Sequence, residues 1–235
     1  MFEEEKDTTQ DKKWHYEHLA KKCQAALLKN NFGAFYTPTC DDARTQVLGM
    51  IPEGSVVGIG DSITLLQSGI IEALDAGKYK VLNPFRNPNG RYFPNGRASI
   101  DMMREIFSAD VYLTGTNAVT LDGKLVNTDG FGNRVAAIAF GPRKVILVMG
   151  ANKIVPTVDD ALRRIREVAA PMNARRHTRH GMAGDLPCGV TGVCSDCRAP
   201  RRICCATLIL DYQRKAMSDR EPRINVVMVG EELGL

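Results

Sequence analysis

"SVVGIGDSITLLQSGIIEALDAG", residues 55–77, is the stretch that decides the fold class. Its first six residues form a short apolar run closed by glycines, as a strand buried on both faces does. The remainder repeats apolar residues at helical spacing, with Asp61 or Ser62 placed to cap the first turn and Gly77 to end the last. A strand that turns directly into a helix is half of a βαβ unit. The stretch therefore predicts a parallel sheet covered by helices.

The alternation extends in both directions. Strands are expected in "YKVLN" (79–83), "DVYLTGT" (110–116), "KVILVMGAN" (144–152), "ATLILDY" (206–212) and "RINVVMVGEELGL" (223–235). Helices are expected in "KKWHYEHLAKKCQAALLKNNFG" (12–33), "DDARTQVLGMIPEG" (41–54), "SIDMMREIFSA" (99–109, capped by Ser99) and "VDDALRRIREVAA" (158–170). The fold class read from this pattern is α/β, a mostly parallel sheet with helices on both faces. At 235 residues with no Pro/Gly/Ser-rich linker, the chain reads as one domain over 14–235. Residues 1–13 are expected to be a flexible tail, 14–50 a pair of N-terminal helices, and 171–205 a basic and cysteine-rich segment. The loop "NPFRNPNGRYFPNGRA" (83–98), rich in proline and aromatic residues, suits a lid or a partner contact.

Charge and hydropathy narrow the function classes. The opening "MFEEEKDTTQDKK" lacks the apolar stretch of a secretory signal, and no uncharged apolar run is long enough to span a bilayer. A soluble, cytoplasmic protein without membrane attachment is expected. Net charge is +4 from 31 basic and 27 acidic side chains, too even to imply nucleic-acid binding. The basic stretch "NARRHTRHG" (173–181) has no interleaved aromatic residue for base stacking, so nucleic acid is not an expected partner.

Two stretches offer an anion site at the carboxyl edge of such a sheet. In "VGIGDSITL" the glycines Gly58 and Gly60 permit close backbone approach. The amides of Asp61, Ser62 and Ile63 would open a helix toward a phosphate or carboxylate, and Ser62 and Thr64 add hydroxyls. The string is neither a dinucleotide fingerprint nor a P-loop, and an ordinary capped helix explains it equally. Asp61 would cap the helix or bind a substrate hydroxyl. In "TGTNAVTLDGKLVNTDGFGNRVAA" (114–137), Gly115, Thr116 and Asn117 leave a strand at the same edge, and a hairpin about Asp122-Gly123 brings back Asn127, Asp129, Asn133 and Arg134. Asp129 is the best general-base candidate, against an ordinary Asx turn. Lys153 either supplies a positive charge to the site or is a surface lysine.

Together "GIGDSITL", "TGTNAVTLDGKLVNTDGFGNRVAAIAFGPRKVILVMGANKIV", "DDALRRIREVAAPMNARRH", "CGVTGVCSDCRAPRRIC" and "RINVVMVGEELGL" resemble the LUD-domain family (DUF162 type), the lactate-utilisation proteins, in their cysteine-containing stand-alone branch. The resemblance runs from about Trp14 to Leu235. It implies the fold shared with ribose-5-phosphate isomerase and the CoA transferases, with ligands at the carboxyl edge. For activity it implies a role near lactate oxidation alongside iron–sulfur partners, so the enzyme class stays uncertain. The chain lacks the C-x₂-C-x₂-C-x₃-C-P run of ferredoxin-type partners.

Five of the seven cysteines fall within 188–205. In a reducing compartment such a cluster suits a metal or redox chemistry better than disulfides. Cys188, Cys194, Cys197 and Cys204 have the spacing C-x₅-C-x₂-C-x₆-C, a full ligand set for a 4Fe-4S cluster or for tetrahedral zinc. Only one tight C-x₂-C pair is present, and the loose outer spacings fit the larger perimeter of a cluster. Adjacent residues entering a strand face opposite ways, so one metal site takes Cys204 or Cys205; the family motif, ending R-x-C, implies Cys204. Arg179, Arg198, Arg201 and Arg202 would offset a cluster's charge, with His177 and His180 as substitute ligands.

Three functions follow. One is an iron–sulfur protein binding a small anionic metabolite, a hydroxy or keto acid, for redox or lyase-type chemistry, with Gly60, Asp61, Ser62 and Asn117 holding the anion and Asp129 moving a proton. The second is a non-redox isomerase or CoA-transferase-like enzyme with structural zinc, and the third a non-catalytic sensor or assembly partner. A redox protein partner and a homo-oligomer stay open.

Overall fold

The structure, a computed structural model, describes residues 6–86, 99–181, 186–215 and 221–235. In chain order its strands are β1 (Gly33–Thr37), β2 (Val56–Ile59), β3 (Lys80–Leu82), β4 (Val111–Thr114), β5 (Ala118–Thr120), β6 (Leu125–Asp129), β7 (Lys144–Gly150), β8 (Ile154–Val155), β9 (Ala206–Leu210) and β10 (Ile224–Val229). The helices are α1 (Thr9–Lys29), α2 (Cys40–Gly49), α3 (Ile63–Gln67), α4 (Ile70–Ala76), α5 (Ile100–Glu105), α6 (Asn133–Ala139), α7 (Val158–Arg164), α8 (Ala170–Arg179) and α9 (Pro187–Thr191).

The main sheet has the order β1-β10-β7-β4-β2-β3, and every pairing in it is parallel. All six residues of β10 and all four of β4 are buried, which is why these segments read as continuous apolar runs instead of alternating ones. Against one face pack α1, α6 and the second sheet, through Leu27, Phe32, Tyr112, Ile138 and Leu147. Against the other pack α2, α3 and α4, through Val47, Leu65, Ile70, Leu74, Ile146 and Val227. The expected α/β architecture with both faces covered is the observed one. Among the described residues no helix is long and apolar enough to cross a membrane.

Several local expectations change. The 14–50 segment is not helices alone, because "GAFYT" forms the edge strand β1, and α1 begins at Thr9, inside the stretch expected to be a flexible tail. The single helix expected after β2 is two, broken where Gly69 takes a positive φ of 66°, and Ser62 rather than Asp61 caps the first by accepting from Leu65 N. Helix α6 was not expected. The helix expected over 158–170 stopped short of Pro171, a residue type that lacks an amide and whose ring clashes with the preceding turn. Instead the five residues Ile165–Ala169 widen into a π turn that absorbs it, and α8 continues to Arg179. Of the expected lid loop, residues 87–98 lie outside the described residues.

The second sheet, ordered β8-β5-β6-β9, was not separable by reading the sequence. Its β5–β6 hairpin turns at Gly123, whose φ is +82°; a Cβ there would stand 2.7 Å from backbone atoms of Ala26 and Leu27 in α1. Asn30 Nδ2 donates to the carbonyls of Asp122 and Gly123 at 2.9 and 3.0 Å, tying helix to hairpin. Gly123→Ala should therefore lower the free energy of urea unfolding by about 1–3 kcal/mol, through overpacking against an unyielding backbone. An unchanged midpoint would show that α1 can move away.

Candidate functional site

Strands β4, β2 and β7 run side by side in the same direction, so the turns after them, Gly60–Ile63, Gly115–Asn117 and Ala151–Lys153, emerge at one edge. They border a cavity of about 620 Å³ whose further walls come from the Asp129–Arg134 turn, from α8, and from Pro200–Cys205. A Cβ on Gly115 would stand 2.9 Å from Ser62 Oγ, which shows how closely the first two turns approach.

Of the residues singled out in the sequence, Asp61, Ser62, Gly115, Thr116, Asn117, Asp129, Asn133, Lys153 and Cys204 line this cavity. Gly60 and Thr64 stand behind its wall. Gly60 N already donates to Leu113 O at 2.8 Å, and a side chain at 60 would run into Tyr112 and Thr114, so this glycine serves packing and not anion approach. Thr64 is fully buried.

Asp61 neither repels an anion nor caps a helix. Its carboxylate receives a bidentate pair from Arg176, Nη1 at 2.8 Å and Nη2 at 2.6 Å, with His177 Nε2 3.7 Å away. Burial alone would raise the Asp61 pKa, but the bonds and charges of His177 and Arg176 outweigh it and hold the group down at about 2. Arg176 and His177 were not assigned to this cavity from the sequence. They are there because the π turn carries α8 past Pro171 and over the sheet edge.

Asp129 is occupied as well. One oxygen accepts from Gly132 N (2.6 Å), the other from Arg134 N (2.9 Å) and Val135 N (3.1 Å), which starts α6. To take a proton from a substrate it would have to release that helix start. Asn117 is similarly committed. Its side-chain oxygen accepts from Thr128 N (2.8 Å) and Arg134 Nη2 (3.0 Å), and its carbonyl from Arg164 Nη1 (2.7 Å).

The unsatisfied charge in the cavity is cationic. Lys153 is no surface lysine: it is 5% exposed, and its hydrogen bond goes to Thr64 Oγ1 at 3.3 Å. Burial first, then the charges of Arg164 and Arg134, bring its pKa down to about 7. Among the described residues Arg134 donates to neutral oxygens alone, on Gly115, Asn127, Asn117 and Thr128. Burial also lowers Arg164, whose Nη1 donates to the carbonyl oxygen of Asn117 at 2.7 Å and to Leu235 O at 3.3 Å. Arg134 and Arg164 lay in quoted stretches, but nothing in their spacing marked them as neighbours of Lys153.

The cysteine loop forms the outer wall. Cys205 N donates to Asp129 O at 2.9 Å as β9 joins β6, which brings Cys204 to the cavity. Gly189 lets α9 sit on α8, since a Cβ there would stand 3.0 Å from backbone atoms of Ala174 and Arg175, and this places Cys188 in a small apolar cluster with Ala174 and Leu186. Arg202 spans the loop, donating to the carbonyls of Cys204 and Cys197, each at 2.8 Å, and to Asp196 at 3.0 Å. All seven cysteines are free thiols. Burial, then Cys194 and Cys197, raise the Cys188 pKa; burial, then Cys188, push Cys204 up to about 11 against the pull of Arg202. Cys188 and Cys204 are thus each raised by burial and by the other spaced cysteines, while Cys205 Sγ donates to Arg202 O at 3.3 Å. Among the described residues no three His, Cys, Asp or Glu side chains are gathered closely enough to hold a metal ion.

The family model of the LUD domain matches residues 20–229. Among solved structures the chain is similar to a DUF162 family protein from Deinococcus radiodurans, with 13% identity, a TM-score of 0.49, and coverage of 91% of this chain and 97% of that one. It is also similar to ribose 5-phosphate isomerase A from Neisseria gonorrhoeae, with 21% identity, a TM-score of 0.33, and coverage of 51% and 56%. No curated protein matches the chain.

Asp61→Asn should cost about 3–5 kcal/mol at neutral pH, because it strands the buried Arg176 cation. A carboxylate held at about 2, against its ordinary 3.8, contributes stability that is full above 3.8 and is lost as pH falls through 2, so the difference between variant and parent should close over that window. Unfolding titrations from pH 7 to pH 2 test this; a constant difference would refute the pairing.

Proposed function

The chain belongs to the LUD domain family, and on that footing we propose a lactate-utilisation-type protein that binds a small organic anion, a hydroxy or keto acid, in the carboxyl-edge cavity and carries an iron–sulfur cluster on the Cys188–Cys204 loop. The observation that carries the reading is the cationic floor of the cavity. Lys153 is buried, and Arg164 and the half-buried Arg134 are near enough to act against its charge, while the oxygens that Lys153 and Arg134 bond among the described residues are a hydroxyl and neutral amide oxygens. Like charges held out of water are costly, and an anionic ligand between them removes much of that cost. The cavity edge is also where ligands of open α/β sheets bind.

In this reading Lys153 and Arg134 bind the carboxylate, Ser62 and Thr116 border it, and the Asp61–Arg176 pair fixes the facing wall. Lys153, poised near neutrality, is the group able to give or take a proton at the oxygen on the acid's second carbon, the role the sequence had suggested for Asp129.

The spacing of the four thiols, C-x₅-C-x₂-C-x₆-C with one tight pair and loose outer intervals, suits the wide perimeter of a cluster better than one tetrahedral zinc. Arg202 would keep the backbones of Cys197 and Cys204 in register for it. When bound, a cluster would supply one-electron transfer at the cavity wall, with a redox protein as the partner.

Protein purified without oxygen should be coloured and contain about four iron atoms per chain, and Cys194→Ser should lose both. Stoichiometric zinc, or colourless protein without iron, overturns the cluster. Binding of pyruvate or lactate, measured by calorimetry, should weaken as pH rises through about 7, since the anion favours charged Lys153. Arg134→Met should weaken it about 10–100-fold. Binding indifferent to both would overturn the anion site.

A further inference from the structure

A cation at position 153 strengthens anion binding, yet the surroundings of this lysine are those of an amine. We infer that Lys153 is a nucleophile that condenses with the carbonyl carbon of a bound 2-keto acid to form an imine, an inference that rests on the keto-acid reading of the cavity. Among the described residues Lys153 is the one lysine on the cavity wall.

Three features of the structure support it. Among the described residues the one hydrogen bond of Nζ goes to a hydroxyl, Thr64 Oγ1 at 3.3 Å, which can accept from an ammonium or donate to a free amine. A carboxylate in that place would lock the charged form, and among the described residues none is paired with Nζ. The guanidinium groups of Arg134 on α6 and Arg164 on α7 act against a positive charge there. A strap formed by the last residues covers the amine. Gly234, at φ +70°, lies so close that a Cβ would stand 2.6 Å from Nζ, and it is held by Gln67 Oε1 (2.6 Å), with the neighbouring Leu233 N on Asn152 Oδ1 (3.1 Å). A lysine kept from water beside other cations is the arrangement that frees its lone pair for attack on carbonyls. In line with this, its pKa is about 7.

The step balances without an oxidant or reductant. The Nζ lone pair forms a bond to the second carbon of the keto acid, and the carbonyl oxygen takes a proton from Nζ to give a carbinolamine. That hydroxyl gains a second proton from solvent and leaves as water, while the nitrogen lone pair completes the C=N bond. Arg134 holds the carboxylate throughout.

The test is to incubate the full chain with pyruvate and sodium cyanoborohydride, which reduces the C=N bond, and to locate the adduct by peptide mapping. The expected product gains the mass of pyruvic acid less one oxygen atom, at Lys153. An ordinary lysine with a pKa near 10.4 is almost wholly protonated at neutral pH, so labelling at Lys153 should be at least about 100-fold faster than at any other lysine. The map separates it from the α-amino group, which also titrates near neutrality. With pyruvate saturating at each pH, so that occupancy is constant, the rate should rise with pH through about 7. Lys153→Arg should abolish the label; if that variant does not fold, competition by acetate in the parent protein reads the same site and should suppress the label. Calorimetric binding of pyruvate without a label at Lys153, or labelling spread over surface lysines, overturns the imine and leaves the anion site standing. Absence of pyruvate binding overturns both.

Discussion

Parallel pairing is the constraint on which the rest depends. Because β2, β4 and β7 are neighbours with the same direction, the chain must leave all three at one edge, and the residues after them meet although they lie far apart in sequence. Ser62, Thr116 and Lys153 owe their proximity to this and to nothing local. An antiparallel arrangement would have sent one of the three turns to the opposite end. The second sheet adds the remaining wall by the same means, since the β6–β9 ladder fixes Cys205 beside Asp129 and so brings the cysteine loop to the cavity.

The cavity's electrostatics follow from how its acids are used. Both carboxylates on the wall are already committed, Asp61 to Arg176 and Asp129 to three backbone amides. What is left over is positive: Lys153 and Arg134, with Arg164 behind Asn117. Sequence alone counts two acids and several bases in these stretches and cannot say which acids are spent. Burial then sets the magnitude, because a charge that would be unremarkable on the surface becomes a strong determinant when water is excluded.

The cysteine loop shows a related division between local and distant causes. Its spacing marks four thiols, two of which, Cys188 and Cys204, are raised by burial and by the other spaced cysteines. Their placement is arranged partly from outside the loop, by α9 resting on α8 through Gly189, and partly by the loop's own Arg202, which grips the backbones of Cys197 and Cys204. The same helix α8 presents Arg176 to Asp61 on its inner side, so the thiols and the cavity share one rigid support.

Several parts were legible in the sequence because their causes are local. The buried strands announce themselves as unbroken apolar runs, the β5–β6 turn by Asp122-Gly123, and the helix caps by Ser62 and Ser99. Other parts were misread because a distant contact overrules a local preference. Pro171 should stop a helix, yet a π turn packed on the cavity accommodates it; "GAFYT" is too short to declare itself and becomes a strand by pairing with β10; Gly60 looked like a ligand loop and is a packing position against Tyr112. The sequence by itself determined the α/β class, the sheet edge at which a site would form, and most of the residues at that edge, since periodicity and turn chemistry act over a few residues. Only the tertiary structure decided their roles, because whether a carboxylate is free or paired, and whether a lysine is solvated or dry, depends on groups brought together across the whole chain.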